Sequence, residues 1–135
     1  MNEQAAREWL TKAWHHFSSG RLLYEAHHYT DVIAIDLHYA AEIILKSFMA
    51  YENTKIQKIH DLNELSLLTK DYISFTTEEQ ELMAIITKYH IKGSYPTRDR
   101  RMPPREEIKE ALDFTYKLFY KVCTILNIDP EEVKK

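Results

Sequence analysis

The clearest chemical signal in the sequence is a concentration of arginine. Four arginines lie within eight positions: Arg98, Arg100, Arg101 and Arg105. A guanidinium stays charged at physiological pH and binds phosphate through two parallel hydrogen bonds. Residues 92–105 carry a net charge of +4, whereas the remainder of the chain carries −7. We predict a phosphate-binding site here, with Tyr95 as a candidate orienting residue; the alternative is a solvated loop or one that docks an acidic partner.

A second candidate for phosphate binding is a lysine paired with a glutamate. Glu42 and Lys46 are four positions apart, so on a helix they share one face and form an ion pair worth about 0.2–0.5 kcal/mol. In the functional interpretation Lys46 contacts a phosphate and Glu42 orients it, whereas the alternative is an ordinary ion pair. His60 is a further candidate orienting residue, although a bond to the neighbouring loop is the favoured role.

The sequence does not favour a metal site. His38 and Glu42 are also four apart and would supply two ligands, but a stable site takes about four, and no second such pair is convincing. The single cysteine, Cys123, excludes an intramolecular disulfide and a cage of several cysteines. We therefore predict no metal and no cofactor, and we assign no catalytic residue.

The elements that position these residues are predicted to be helices. Two glycines and four prolines are too few for the tight turns of a sandwich or barrel, and apolar residues recur at helical spacing in five segments. We place helix starts at Asp31 for the second segment, at Asp61 for the third and at a Thr76–Glu79 capping box for the fourth. Pro104 suits the first turn of the fifth.

The whole chain, residues 1–135, is predicted to be one domain with its core at about 6–126. Its class is all-α, an up-and-down antiparallel bundle of four to five helices. Residues 92–105 form the basic loop, where Gly93, Pro96, Pro103 and Pro104 interrupt helix, and 127–135 form a tail too short to matter. Without a signal-peptide pattern or a long apolar run, we expect a cytoplasmic protein.

Three motifs resemble those of a known family. Residues 38–46 read His-Tyr-Ala-Ala-Glu-Ile-Ile-Leu-Lys, which resembles the Ala-Ala-Glu-x-x-Leu-Lys signature of HEPN domains. Residues 60–62, His-Asp-Leu, resemble the opening of their third helix, and 89–96 resemble the stretch that ends in their Arg-Tyr-Pro element. The motifs occur in order on matching helices, so the chain is similar to HEPN domains over about residues 9–126.

The resemblance implies a helical bundle that forms homodimers. It also implies a minimal nucleotidyltransferase as partner, with the chain as its substrate-binding subunit, in some relatives as part of a toxin–antitoxin pair. Many relatives are instead metal-independent ribonucleases, in which four to six residues separate an arginine from a histidine. The ribonuclease toxin is therefore the alternative function, and it would need histidine as general base and arginine at the phosphate.

Two departures argue against the ribonuclease. Ser94 stands where the Arg-Tyr-Pro element has its arginine. Arg21 alone has a histidine at the required interval, His27 or His28, and the apolar Leu22 follows it where the family prefers a polar residue. We therefore expect a nucleotide- or RNA-binding module that is not an enzyme. A pure scaffold is the third class, expected if no pocket lies beneath the basic loop.

Aromatic residues predict the dimer interface. Trp9, Trp14, Tyr24 and Tyr39 cannot all lie on one narrow inner stripe of the first two helices. Aromatic side chains outside a core often mark interfaces. We therefore expect a homodimer that pairs through these two helices.

Overall fold

The computed structural model describes residues 1–92 and 102–135, and within these ranges it is helical without strands. Arg98, Arg100, Arg101 and Tyr95, together with Ser94 and most of the basic loop, lie outside the described residues. The helices in the described part are α1 (Glu3–Glu25), α2 (Thr30–Tyr51), α3 (Leu62–Leu68), α4 (Thr77–Lys92), α5 (Arg105–Ile125) and α6 (Pro130–Val133). The predicted antiparallel helical bundle is confirmed.

The α1–α2 hairpin is the centre of the bundle. α2 is the most buried helix because apolar residues cover most of its circumference, and it packs against α1, α3, α4 and α5. Gly20 lets the two helices approach closely, since a Cβ there would lie 3.3 Å from Leu37 Cδ2. At the other end, Asn2 donates its amide to the Tyr51 carbonyl at 2.7 Å. The hairpin is therefore held at both ends.

The predicted starts of two helices are confirmed and one is wrong. The Asp61 carboxylate accepts the amides of Asn63 and Glu64 at the start of α3, and Thr76 and Glu79 exchange side-chain to backbone bonds of 2.9 and 3.1 Å. Asp31, however, is not the N-cap of α2. That helix begins one residue earlier behind Tyr29, which provides no side-chain cap.

The prediction that the tail is too short to matter is also wrong. Asp129 caps α6 by accepting the Glu131 amide, and Val133 is only 1% exposed. Glu132 forms an ion pair with Arg7 of α1. The core therefore extends beyond 126, because the apolar side chains of Ile128 and Val133 are both buried and α6 packs beside α1.

Trp14 does not belong to the group of exposed aromatic residues. Its indole is 8% exposed and packs against the rings of Phe17 and Phe119 at 5.1 and 5.0 Å. This side chain faces α5, which lies far along the sequence from α1.

Within residues 1–92 and 102–135, none of the helices combines the length and the apolar character needed to cross a bilayer.

Candidate functional site

The site is built around the carboxylate of Glu42 in the middle of α2. Lys46 Nζ donates to Glu42 Oε2 at 2.9 Å, and His60 Nδ1 lies 2.9 Å from Glu42 Oε1. Glu42 and Lys46 are each only 6% exposed. Because buried charges are costly unless paired, the two residues form a closed unit, which His60 extends toward solvent. We call Glu42, Lys46 and His60 the Glu42 triad.

His60 reaches the triad from the link between α2 and α3. Its imidazole is 49% exposed, and Nδ1 is occupied by Glu42. The carboxylate fixes Nδ1 as the donor, so Nε2 is the ring nitrogen that Glu42 does not engage. A carboxylate that orients a histidine in this way leaves Nε2 able to contact a ligand. Leu62 donates its amide to Thr87 Oγ1 at 3.0 Å, which ties the same link to α4.

His38 supports the link from below. It is fully buried, and its Nε2 lies 2.9 Å from the His60 carbonyl oxygen. Since a carbonyl only accepts, Nε2 must carry the proton, which leaves Nδ1 as an acceptor. That Nδ1 has no hydrogen-bond partner among the described residues. His38 Nε2 is 3.7 Å from Glu42 Oε1, so its main bond is to the backbone rather than to the carboxylate.

The surroundings shift two pKa values in the same direction. Burial alone would raise the pKa of Glu42, but hydrogen bonds from Lys46 and His60 outweigh it and hold that pKa below the usual range. Burial lowers the pKa of His38, and the bond to the His60 carbonyl only partly offsets this. At neutral pH Glu42 is therefore ionised and His38 is neutral.

An open groove adjoins the triad between α1 and α2. Its volume is about 370 Å³, and it is lined by Glu8, Trp9, Lys12, Glu42, Ile43 and Lys46. Trp9 is half-buried and Lys12 is exposed. The groove thus combines an indole, two ammonium groups and two carboxylates. It can accommodate a flat apolar ring beside a negatively charged group.

Of the predicted phosphate-binding residues, Lys46 and Arg105 lie in the described part of the chain, and these two are far apart. Arg105 donates to the Tyr24 carbonyl at 3.1 Å, and its guanidinium lies 4.1 Å from the centre of the Tyr24 ring. Tyr24 is at the end of α1 that adjoins the start of α2, whereas Lys46 lies sixteen residues into α2, about 24 Å away along the helix. The structure brings Lys46, Glu42 and His60 together and places Arg105 elsewhere.

The residues of the ribonuclease alternative are Arg21, His27 and His28, and they contact different groups. Arg21 lies over the rings of Trp14 and Phe17, with its guanidinium carbon 5.2 and 5.3 Å from the ring centres. His27 follows the end of α1 at a φ of 56°, and His28 packs edge-on against Tyr29. Among the described residues no hydrogen bond or ring contact joins Arg21 to either histidine.

His90 of α4 is the site residue that the sequence did not indicate. Its ring stacks on His60 with centroids 4.3 Å apart and lies 5.0 Å from the His38 ring. The three histidines come from α2, α4 and the link between α2 and α3, so no local spacing connects them. In the part of the chain that the structure describes, no group of three His, Cys, Asp or Glu is placed to hold a metal ion.

These observations define a helical bundle with a buried polar cluster on its second helix. The HEPN domain model matches residues 6–126, nearly the whole chain, and the chain belongs to the HEPN domain family. The fold is similar to the crystal structure of TT1696 from Thermus thermophilus, with a TM-score of 0.77 and 24% identity over 93% of this chain and 99% of that one. No curated protein matches the chain significantly.

Proposed function

We propose that the chain is a HEPN-type module that binds the phosphate of a nucleotide or nucleic acid and acts as the non-catalytic partner of a minimal nucleotidyltransferase. One observation carries the first part. The Glu42 carboxylate holds both Lys46 and His60, and Lys46 lines the groove that also contains Trp9 and Lys12. Two ammonium groups beside an indole suit a phosphate attached to a flat ring.

The Glu42 triad keeps the two ligand-binding groups in fixed positions. Lys46 uses one of its three donors on Glu42 and retains others for a phosphate oxygen. His60, with its imidazole about half exposed, contributes Nε2. Fixing both groups before binding lowers the entropy that a ligand must remove. Because Glu42 neutralises Lys46, the site attracts anions weakly, and we expect dissociation constants in the high micromolar range or above.

The test is a calorimetric titration of the whole chain with ATP at two salt concentrations. Lys12→Gln and Trp9→Leu change groove residues that are not fully buried, so the fold should be retained. We expect each to weaken ATP binding about fivefold or more, since one charge-assisted bond contributes roughly 1.5–3 kcal/mol. Lys70→Gln, on the turn before α4, is the matched control. Equal affinities for wild type and the two groove variants would refute the proposal.

The partner rests on the family resemblance and is tested separately. We expect a minimal nucleotidyltransferase encoded beside this chain to co-purify with it when the two are co-expressed. In a toxin–antitoxin arrangement, growth inhibition by one component should disappear when the other is present. If the neighbouring protein elutes alone, the partnership is wrong, whatever the outcome of the ATP titration.

The homodimer is the third part of the proposal. Most of the aromatic residues that suggested an interface contact other residues of the same chain, but Leu22 and Tyr29 are 68% and 67% exposed near the α1–α2 turn, and Val32 adjoins them at 40%. This apolar group supports pairing through the first two helices. Light scattering should give about twice 16.1 kDa, and Leu22→Glu should halve the measured mass. A monomer at tens of micromolar wild-type chain would contradict the dimer.

A further inference from the structure

A second surface, formed by α1 and α5, carries cations on aromatic rings. Trp14, Phe17, Arg21 and Tyr24 recur along α1 at spacings of three and four. Along α5, Arg105, Lys109, Tyr116 and Tyr120 recur at spacings of four and seven. The two rows meet where the Phe17 and Tyr116 rings lie 5.7 Å apart. With Lys134 from the tail, we call these residues the α1–α5 face.

Three cations of the α1–α5 face are positioned by rings. Arg21 lies over Trp14 and Phe17, Arg105 lies 4.1 Å from the centre of Tyr24, and Lys134 lies 4.8 Å from the centre of Trp14. From Trp14 to Tyr24 the row extends about 15 Å along α1. Each contact fixes the direction of a cation without neutralising it, because a ring face is not a charged partner.

Among the described residues, neither the Arg21 nor the Arg105 guanidinium forms an ion pair. Arg21 has no carboxylate partner in the described part of the chain, and Arg105 donates to a backbone carbonyl. Lys109 and Lys134 are paired with Asp113 and Glu131 at 2.8 and 3.3 Å. A groove of about 300 Å³ runs between the helices, lined by Arg21, Tyr24, Lys109 and Tyr116, with Glu25 and Asp113 also in its lining.

We infer that the α1–α5 face binds single-stranded nucleic acid. Exposed rings and guanidinium planes stack on unpaired bases, and guanidinium forks bind the phosphates between them. Tyr116 is 39% exposed at the centre of the row and offers a ring for stacking. A duplex hides the faces of its bases, so this arrangement favours a single strand. The α1–α5 face shares no residue with the Glu42 triad, so binding on this face does not depend on nucleotide binding at the triad.

The experiment is fluorescence anisotropy of the whole chain with a labelled twelve-nucleotide oligouridine and with a duplex of the same length. We compare wild type with Arg21→Gln, Tyr116→Leu and the control Lys70→Gln. The single strand should bind more tightly than the duplex. Tyr116→Leu should weaken single-strand binding about tenfold through lost stacking. Arg21→Gln should weaken it similarly and reduce the salt slope of log K by about 0.7, the value for one phosphate contact.

Two further variants separate a binding role of these side chains from a role in the fold. Arg21→Lys retains the charge without the fork, and Tyr116→Phe retains the ring without the hydroxyl; both should bind better than Arg21→Gln and Tyr116→Leu. Circular dichroism melting checks that all variants fold. Unchanged binding in Arg21→Gln and Tyr116→Leu would overturn the inference. Equal competition by polyglutamate would also overturn it, because the surface would then recognise acidic chains in general.

Discussion

The Glu42 triad and the α1–α5 face use similar residue types in opposite ways. In the triad, Lys46 is almost completely buried and its charge is neutralised by Glu42 within 2.9 Å. On the α1–α5 face, Arg21 and Arg105 lie on ring faces and keep their charge toward the surface. A buried charge must be paired, which weakens its attraction for an anion, whereas a cation on a ring is oriented and keeps its full charge. Basic residues in a sequence are therefore not equally available to ligands.

The largest expected difference between the two regions is in stability. Lys46→Met leaves the Glu42 carboxylate buried with His60 as its remaining partner, so the free energy of unfolding should fall by about 3 kcal/mol. Arg21→Gln removes a half-exposed cation and should cost less than about 1 kcal/mol. Urea unfolding at neutral pH measures both. The double variant Glu42→Gln/Lys46→Met should regain most of the loss. Equal losses for Lys46→Met and Arg21→Gln would contradict the expected difference in stability between the buried, paired lysine and the arginine on the rings.

Acid should lower the free energy of unfolding through two buried groups, Glu42 of the triad and His38 beside it. The pKa values of His38 and Glu42 lie below their ordinary values of 6.5 and 4.5 in the folded chain. As the pH falls, the unfolded chain takes up these protons first, so the free energy of unfolding decreases. The loss begins near pH 6.5 for His38 and near pH 4.5 for Glu42.

His38→Gln isolates the first of these losses. The glutamine amide can still donate to the His60 carbonyl but does not titrate. Between pH 7.5 and 5.5 the variant should lose less stability than wild type in urea unfolding. His28→Gln, at an exposed position after α1, is the control and should follow wild type. If His38→Gln and wild type have the same pH slope, the buried neutral histidine is not a source of acid sensitivity.

The tail connects stability to the α1–α5 face, because it carries Lys134 to Trp14. Val133→Ser removes a buried apolar side chain and should lower the free energy of unfolding by about 2 kcal/mol. Lys134 should then leave the indole, which a change in Trp14 fluorescence would report. Lys135→Ala, at the exposed end of the tail, is the control. Wild-type stability for Val133→Ser would show that the tail does not belong to the core.

The smallest stability effect is expected for the basic loop. Arg100→Ala/Arg101→Ala should weaken ATP or RNA binding about tenfold or more, since charge-assisted bonds contribute roughly 1.5–3 kcal/mol each. The melting temperature should hardly change. Calorimetric titration of the variant beside wild type, at low and high salt, measures the affinity. Thermal melting of the two proteins measures the stability. Unchanged affinity would assign these arginines to a solvated loop and leave the residues of the groove and the α1–α5 face to bind phosphate.

Local features of the fold were predictable because their partners are close in the sequence. The Thr76–Glu79 box and the Asp61 cap join residues two or three positions apart, and the Glu42–Lys46 pair joins residues four apart. Long-range features were not. Trp14 looked exposed because Phe119, its packing partner, comes from the fifth helix, and Val133 looked unimportant because α6 packs beside α1 only after folding.

The site was predictable to the same extent. Spacing on one helix indicated Glu42 and Lys46, and the family motif added His60. The bond of His38 to the His60 carbonyl and the stack of His90 on His60 depend on how α4 meets the link after α2. The cation–ring contacts of the α1–α5 face likewise require the pairing of two helices that are distant in the sequence. Composition indicated the charges, but only the packing shows which of them are neutralised.

The most direct test uses the two tryptophans as reporters. Trp9 lines the groove beside Lys46, and Trp14 lies beneath Arg21 on the other surface. In a nitrogen–proton correlation spectrum each indole gives its own resonance, assigned with Trp9→Phe. Titration with ATP should shift the Trp9 indole signal more than that of Trp14, and this displacement should be lost in Lys12→Gln. A Trp9 signal that stays in place at saturating ATP would contradict phosphate binding beside the Glu42 triad.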